Sequence, residues 1–236
     1  MRVLILVITL VLGVGNEVNA QSKQPLGARS VSGWEAVGRL IISGRSMCTG
    51  ALIAPDLVLT AAHCLYDPST KQKVDPPAIE FQAGLNGGQA IAKRLVSHTY
   101  AHPDYRHRVS GQAQIGHDIA LLRLRQPIDI AVIRPFRTDS RPKRGDAVGV
   151  ISYTQAQSSS QNLEQPCHVL ARQHETLVMS CKVEFGASGA PVFIVQGGAS
   201  PRLVSVISSK AAMGGKQVSI GTVLDKALKQ LLKSAG

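Results

Sequence analysis

Residues 48–64 read Cys48-Thr49-Gly50-Ala51-Leu52-Ile53-Ala54-Pro55-Asp56-Leu57-Val58-Leu59-Thr60-Ala61-Ala62-His63-Cys64. Cys48–Ile53 and Leu57–Thr60 are short apolar runs parted by Pro55-Asp56, which is the pattern of two strands and a turn. His63 follows the second run directly and sits beside a cysteine, so a strand and a cross-link would together restrict its movement.

The same pattern extends in both directions. Val37–Ser43 precedes this stretch, and Ile79–Ala83 and Ile119–Arg125 follow it. Beyond them come Ala147–Tyr153, Cys167–Ala171, Leu177–Ser180, Ala190–Val195, Leu203–Ser208 and Val218–Thr222. Eleven short apolar runs with Gly, Pro, Asn and Asp between them predict an all-β barrel or sandwich. A boundary between two lobes falls near Gln126 to Arg144. One segment departs from the pattern: Leu224, Ala227, Leu228, Leu231 and Leu232 recur at helical spacing opposite Asp225, Lys226, Lys229 and Lys233. With Thr222 and Asp225 as a capping box, the spacing predicts a terminal amphipathic helix packed on the second lobe.

At the other end, Arg2 precedes an apolar run from Val3 to Leu12, and Val18-Asn19-Ala20 offers small residues. An apolar core of about ten residues suits a signal peptide, where a spanning helix needs roughly 20. Residues 1–20 are therefore read as a signal peptide and the mature chain as residues 21–236. Export to the periplasm or beyond follows, without stable membrane insertion afterwards.

The net charge is +11, densest at Arg134, Arg137, Arg141, Lys143 and Arg144. Phe136 is the only aromatic there, so the stretch reads as a solvated basic linker with affinity for anionic surfaces rather than a nucleic-acid site. In an oxidising compartment the four cysteines, Cys48, Cys64, Cys167 and Cys181, point to disulfides and allow three pairings. Local pairing, 48 with 64 and 167 with 181, is the simplest. No spacing fixes a metal site: His98, His102, Asp104 and His107 read as solvated loop residues, and no cofactor is expected.

Three residues stand out chemically. A hydroxyl becomes a useful nucleophile when a base takes its proton and a third group holds that base in one tautomer. His63 is such a base. Asp118, in His117-Asp118-Ile119-Ala120-Leu121-Leu122, stands at the mouth of a strand. Ser188, in Phe185-Gly186-Ala187-Ser188-Gly189-Ala190-Pro191, stands in a turn of small residues. The order His–Asp–Ser and Ala190 after the turn exclude the Gly-x-Ser-x-Gly elbow of an α/β-hydrolase esterase.

These three segments, in this order, resemble the histidine, aspartate and serine segments of the chymotrypsin/trypsin family of serine proteases. The resemblance runs from about Arg29 to the terminal helix. It implies two antiparallel β-barrels, about 30–125 and 146–236, joined by a linker at 126–145, with the active site between them. It implies a monomeric serine endopeptidase acting on proteins or peptides. His63 is then the general base, Asp118 its orienting carboxylate and Ser188 the nucleophile, with the N–H groups of Gly186 and Ser188 as the oxyanion hole. The alternative is a catalytically silent relative that acts as a binding protein.

The resemblance also locates departures. Ala187 replaces the aspartate of animal members, which points to the bacterial, glutamyl-endopeptidase-like branch. In animal members that aspartate receives an amine freed by cleavage. Arg29-Ser30-Val31 faintly resembles such a cleavage site, but Ala187 offers no carboxylate, so the mature N-terminus is expected to matter little. Lys182 stands in the place of trypsin's specificity aspartate, and with Ser208 it is assigned to the substrate pocket. A calcium loop between Asp67 and Glu80 follows from the family alone.

Overall fold

The computed structural model describes residues 23–25, 32–107, 109, 111–138, 141–194 and 200–235. The expected signal segment, Arg29-Ser30-Val31 and the expected mature N-terminus lie outside the described residues.

A short strand β1 (Lys23–Pro25) precedes two barrels. The first barrel is built from β2 (Val37–Ile42), β3 (Ser46–Ala54), β4 (Leu57–Thr60), β5 (Ile79–Ala83), β6 (Ala92–Ala101) and β7 (Ala120–Leu124). They close in the order β2-β3-β4-β7-β6-β5. The second barrel is built from β8 (Ala147–Thr154), β9 (Gln157–Gln173), β10 (Thr176–Met179), β11 (Pro191–Ile194), β12 (Arg202–Met213) and β13 (Lys216–Val223). These run β9-β10-β13-β12-β11-β8, and a β8–β9 pairing closes the ring, with β1 added along β9. All pairings between these strands are antiparallel.

Leu52, Val58, Leu59, Phe81, Leu121 and Leu122 fill the first barrel; Val150, Cys167, Leu177, Met179, Val192 and Val204 fill the second. Trp34 packs edge-on against Phe193 at 4.8 Å, and Phe193 lies 4.7 Å from Phe136, which forms an aromatic joint between the linker and the second barrel. Rings packed at such angles gain from edge-to-face electrostatics beyond the area they bury.

Several elements differ from the sequence reading, among them β1 and the polar first half of β9, which were not anticipated. Strand β6 was not anticipated, because Lys93, Arg94, Ser97 and His98 give it little apolar signal and only Val96 is fully buried. After a short helix α1 (Gln112–Ile115), the terminal helix α2 (Asp225–Ala235) forms as expected, but its buried face, Ala227, Leu228 and Leu231, joins the core of the first barrel. Gln230 bonds His102, and the Ala235 carbonyl accepts from Arg123, both on the first barrel. The expected capping box is also absent. The Thr222 hydroxyl donates to the Ile115 and Asp118 carbonyls, and Asp225 faces Arg141 and Arg172. Leu232 is exposed.

Candidate active site

His63 lies in a 3-10 turn, Ala62–Leu65, that ends β4, and the Cys48–Cys64 disulfide ties this turn to β3. Asp118 precedes β7, which pairs with β4. The barrel register therefore brings them together. His63 Nδ1 lies 2.7 Å from Asp118 Oδ2, and the His63 main-chain N–H donates to Asp118 Oδ1 at 2.8 Å. One carboxylate thus fixes both the ring and the backbone of the histidine, which holds the tautomer with Nε2 free to accept a proton.

Asp118 is almost wholly buried, whereas a third of the His63 side chain faces solvent. Burial by itself lowers the pKa of His63. The charge and hydrogen bond of Asp118 more than reverse this, so the pKa lies above its ordinary 6.5. Burial by itself raises that of Asp118. The imidazole opposite it and the hydrogen bonds from His63 and Ser208 outweigh the effect and hold it below 3.8. The pair favours its charged form.

Ser188 lies on the second barrel, packed on β3 and β4 across the cleft. Its carbonyl accepts from the Thr49 N–H at 2.8 Å. Gly189 has φ +76°, and an added Cβ would lie 2.1 Å from Thr60 Oγ1 and 2.3 Å from the Thr49 carbonyl. Only glycine allows that approach, which sets Gly189, the neighbour of Ser188, against Thr60 and Ala61 just before His63. Ser188 Oγ makes no hydrogen bond to His63 in this geometry.

The turn before Ser188 is held by local contacts. Phe185 O accepts from the Gln155 N–H at 2.9 Å. Across a trans peptide the carbonyl and the next N–H point opposite ways, so this bond turns the Gly186 N–H away from Gln155. Gly186 has φ +100°, and its carbonyl accepts from Thr49 Oγ1 at 3.0 Å. Ala187 is fully buried in the second core. The Cys167–Cys181 disulfide closes the segment leading to this turn.

A cavity of about 270 Å³ opens beside Ser188, between Val183, Glu184 and Phe185 on one wall and Ile207, Ser208 and Lys210 on the other. Lys210 Nζ sits 4.2 Å over the Phe185 ring at its mouth. Two sequence assignments change here. Lys182 does not line this cavity. It is exposed and borders a separate cavity behind the wall, because side chains alternate along an extended segment and Val183 takes the inward position. Ser208 does line the cavity, but its hydroxyl also donates to Asp118 Oδ2, a role not anticipated. Thr49 was missed altogether: it read as an ordinary strand residue, yet its fully buried hydroxyl binds both Gly186 and Tyr153.

The remaining site expectations separate. His102 bonds Gln230 and the Asp104 N–H, His98 bonds Ser97, and His107 stacks on Tyr66. Of the suggested calcium loop, Asp67 is engaged by Ser69 and Thr70, which lower its pKa to about 2, and Glu80 is engaged by Gln82.

The family model described as Trypsin matches residues 27–221. The chain belongs to the trypsin family. Among trypsin-family relatives, kallikrein 1-related peptidase b22 of Mus musculus is 30% identical over 161 residues, or 61% of this chain and 57% of that protein. Modular serine protease of Drosophila melanogaster is 36% identical over 96 residues, 38% of this chain and 15% of that protein. The chain thus spans less than two thirds of the length of these curated relatives. Among solved structures, a Glu endopeptidase in complex with MPD superposes with a TM-score of 0.76 at 16% identity, covering 92% of this chain and 98% of that one. A thermostable serine protease AL20 gives 0.67 at 18% identity, covering 85% and 96%. Both share the trypsin-like two-barrel fold.

Proposed function

We propose that this chain is a serine endopeptidase that hydrolyses protein or peptide substrates through an acyl-enzyme on Ser188. Ser188 Oγ attacks the scissile carbonyl while His63 Nε2 takes its proton. His63 then returns the proton to the leaving amine, and the cycle repeats with water. Asp118 holds the imidazole and balances its charge when protonated. The N–H groups of Gly186 and Ser188 receive the oxyanion, and donors of this kind each matter by about 2.7–4 kcal/mol.

The observation that carries this reading is the Asp118 carboxylate bonded at once to the ring and main chain of His63. The bond from Gln155 to Phe185 adds to it, because it holds the turn that carries Gly186 and Ser188.

The cavity beside Ser188 is the candidate P1 pocket, the site for the side chain just before the cleaved bond. Its charged residues, Glu184 and Lys210, are exposed at the rim, and Val183 and Ile207 are buried, so it suits an uncharged side chain. The mature enzyme is an exported monomer, residues 21–236, with barrels at about 30–125 and 146–236 and a linker at 126–145. Within the family, Ala187 in place of a carboxylate supports the glutamyl-endopeptidase-like branch. Among the described residues no helix is long and apolar enough to cross a membrane.

The test is to treat the purified mature chain with a fluorophosphonate and map the adduct, alongside a mixed peptide library. The expected result is one adduct on Ser188, with library cleavage lost in Ser188→Ala. Absence of both labelling and cleavage in folded protein would favour the silent relative.

A further inference from the structure

Apart from the candidate active site, a cavity of about 540 Å³ is bordered by arginines from two parts of the chain, Arg134 and Arg137 in the linker and Arg202 at the start of β12. The backbone holds these parts together. Arg137 and Arg202 form a parallel β-bridge, and the Arg137 carbonyl accepts the Leu203 N–H at 2.9 Å. Pro135, Phe136 and Pro201 supply the apolar lining, and Phe136 is fixed by ring contacts with Trp34 and Phe193.

The charge here is one-sided. Residues 130–144 carry five cations against one acid, Asp139. Among the described residues no acidic side chain borders the cavity. Of the described acids close to it in sequence, Glu35 is engaged by the Gly33 N–H and Asp129 by the Ala131 N–H. Arg134 and Arg137 are exposed and form no ion pair among the described residues, whereas Arg141 pairs with Asp225. A guanidinium presents paired donors that match the oxygens of a phosphate.

The linker just before the arginines adds an apolar element. Ile130 and Val132 are 59% and 57% exposed, while Ile128 and Ile133 are buried and anchor the turn between them. A basic surface alone suits any polyanion, but exposed aliphatic side chains gain only where an apolar boundary lies beside the anions. Ile130 and Arg134 are four residues apart, at most about 14 Å, so both can meet one headgroup layer. We propose that this face docks on a membrane surface of anionic phospholipid, with a headgroup phosphate in the arginine cavity and Ile130 and Val132 in the apolar boundary. The contact is peripheral, since among the described residues no helix is long and apolar enough to cross a membrane. None of the residues bordering this cavity borders the one beside Ser188, so the inference does not rest on the peptidase reading.

The experiment uses the chain beginning at Gln21, which leaves out the apolar run of residues 3–12. It is mixed with vesicles of phosphatidylcholine alone or of phosphatidylcholine with phosphatidylglycerol. Co-sedimentation measures binding. Trp34, the one tryptophan of the chain and the neighbour of Gly33 at the cavity, reports the docked face through quenching by brominated acyl chains. Anionic vesicles should bind the chain at least about tenfold more tightly than neutral ones, and less tightly in about 1 M salt, where the screening length is about 3 Å. Arg134→Glu/Arg137→Glu should weaken anionic-vesicle binding at least about tenfold. Ile130→Ser/Val132→Ser should weaken it several-fold and remove what survives in salt. Lys71→Glu/Lys73→Glu makes the same change of net charge on another exposed loop and should stay within about twofold of the original. All six side chains are exposed, so unchanged thermal midpoints are expected and separate lost docking from lost folding. Heparin, a soluble polyanion without an apolar boundary, is the competing ligand. Equal losses in the two charge-reversed variants, or vesicle binding without quenching of Trp34, would overturn the proposal. So would heparin held through Arg134 and Arg137 while anionic vesicles are not.

Discussion

Ser208 and His63 donate to the same oxygen of Asp118, one from each barrel. The carboxylate is therefore oriented from both sides of the cleft, and its position depends on the barrels being correctly docked. Ser208→Ala should leave the fold intact and lower kcat several-fold, since one of three donors to Asp118 is lost. Asp118→Asn should cost about 10⁴-fold in kcat, because the amide favours the wrong imidazole tautomer. Steady-state kinetics on one peptide substrate measures both.

The His63–Asp118 pair sets the pH dependence. Turnover needs neutral His63, so kcat/KM should rise with pH and reach half its plateau above 6.5. In Asp118→Asn the residual activity should have its midpoint below 6.5, because burial, the largest effect on His63, then acts unopposed. Stability follows the opposite limb for the histidine. A raised folded pKa stabilises fully below 6.5 and is lost as pH rises through the folded value. The lowered pKa of Asp118 stabilises above 3.8 and is lost as pH falls through its folded value. The pair therefore adds most between these limits, and a series of melting curves with Asp118→Asn as reference checks it.

Thr49→Val keeps the shape of a buried side chain and removes its hydroxyl. The Gly186 carbonyl and the Tyr153 N–H each lose a partner. An unsatisfied buried group costs about 1–3 kcal/mol, so denaturant unfolding should register a loss of that order. The kcat should fall more than KM changes, because the oxyanion turn loses its support.

Cys48→Ala/Cys64→Ala should destabilise by roughly 3 kcal/mol, the chain-entropy scale for a loop of this length, and reduction, which opens both disulfides, by more. Peptide mapping under non-reducing conditions should recover 48 with 64 and 167 with 181, the pairs seen in the structure. Crossed pairs or free thiols would contradict the structure.

Cleavage after Arg should be poor, because a buried guanidinium needs a buried carboxylate and the cavity beside Ser188 has its one acid, Glu184, exposed. Profiling a peptide library should show preference for uncharged side chains before the cleaved bond. Lys182→Ala should leave that preference unchanged, since Lys182 faces the other cavity.

Much of the fold was legible because buried strands advertise themselves. β4 and β5 end where the apolar runs of Leu57–Thr60 and Ile79–Ala83 end. β6 and the polar first half of β9 were not, since strands with one wet face and few β-branched residues lack that signal. The residues brought together at the candidate site were legible from short motifs, His63 and Asp118 above all. The support around them was not. Thr49, Gln155 and the second role of Ser208 act through contacts between distant parts of the chain, and no local pattern encodes those. Lys182 misled because counting back from Ser188 gives a position but not a direction, and one step along an extended segment reverses the side chain.

The helix α2 follows every other described element in the chain, yet its apolar face completes the core of the first barrel. A nascent chain therefore closes the strands of its first barrel before the helix that covers β6 and β7 has been synthesised. Any partial chain, whether still being made or trimmed at its end, lacks the support behind β6 and β7 on which the Asp118 strand depends. The proposed hydrolysis therefore needs the last turns of the chain as well as the three residues of the candidate site.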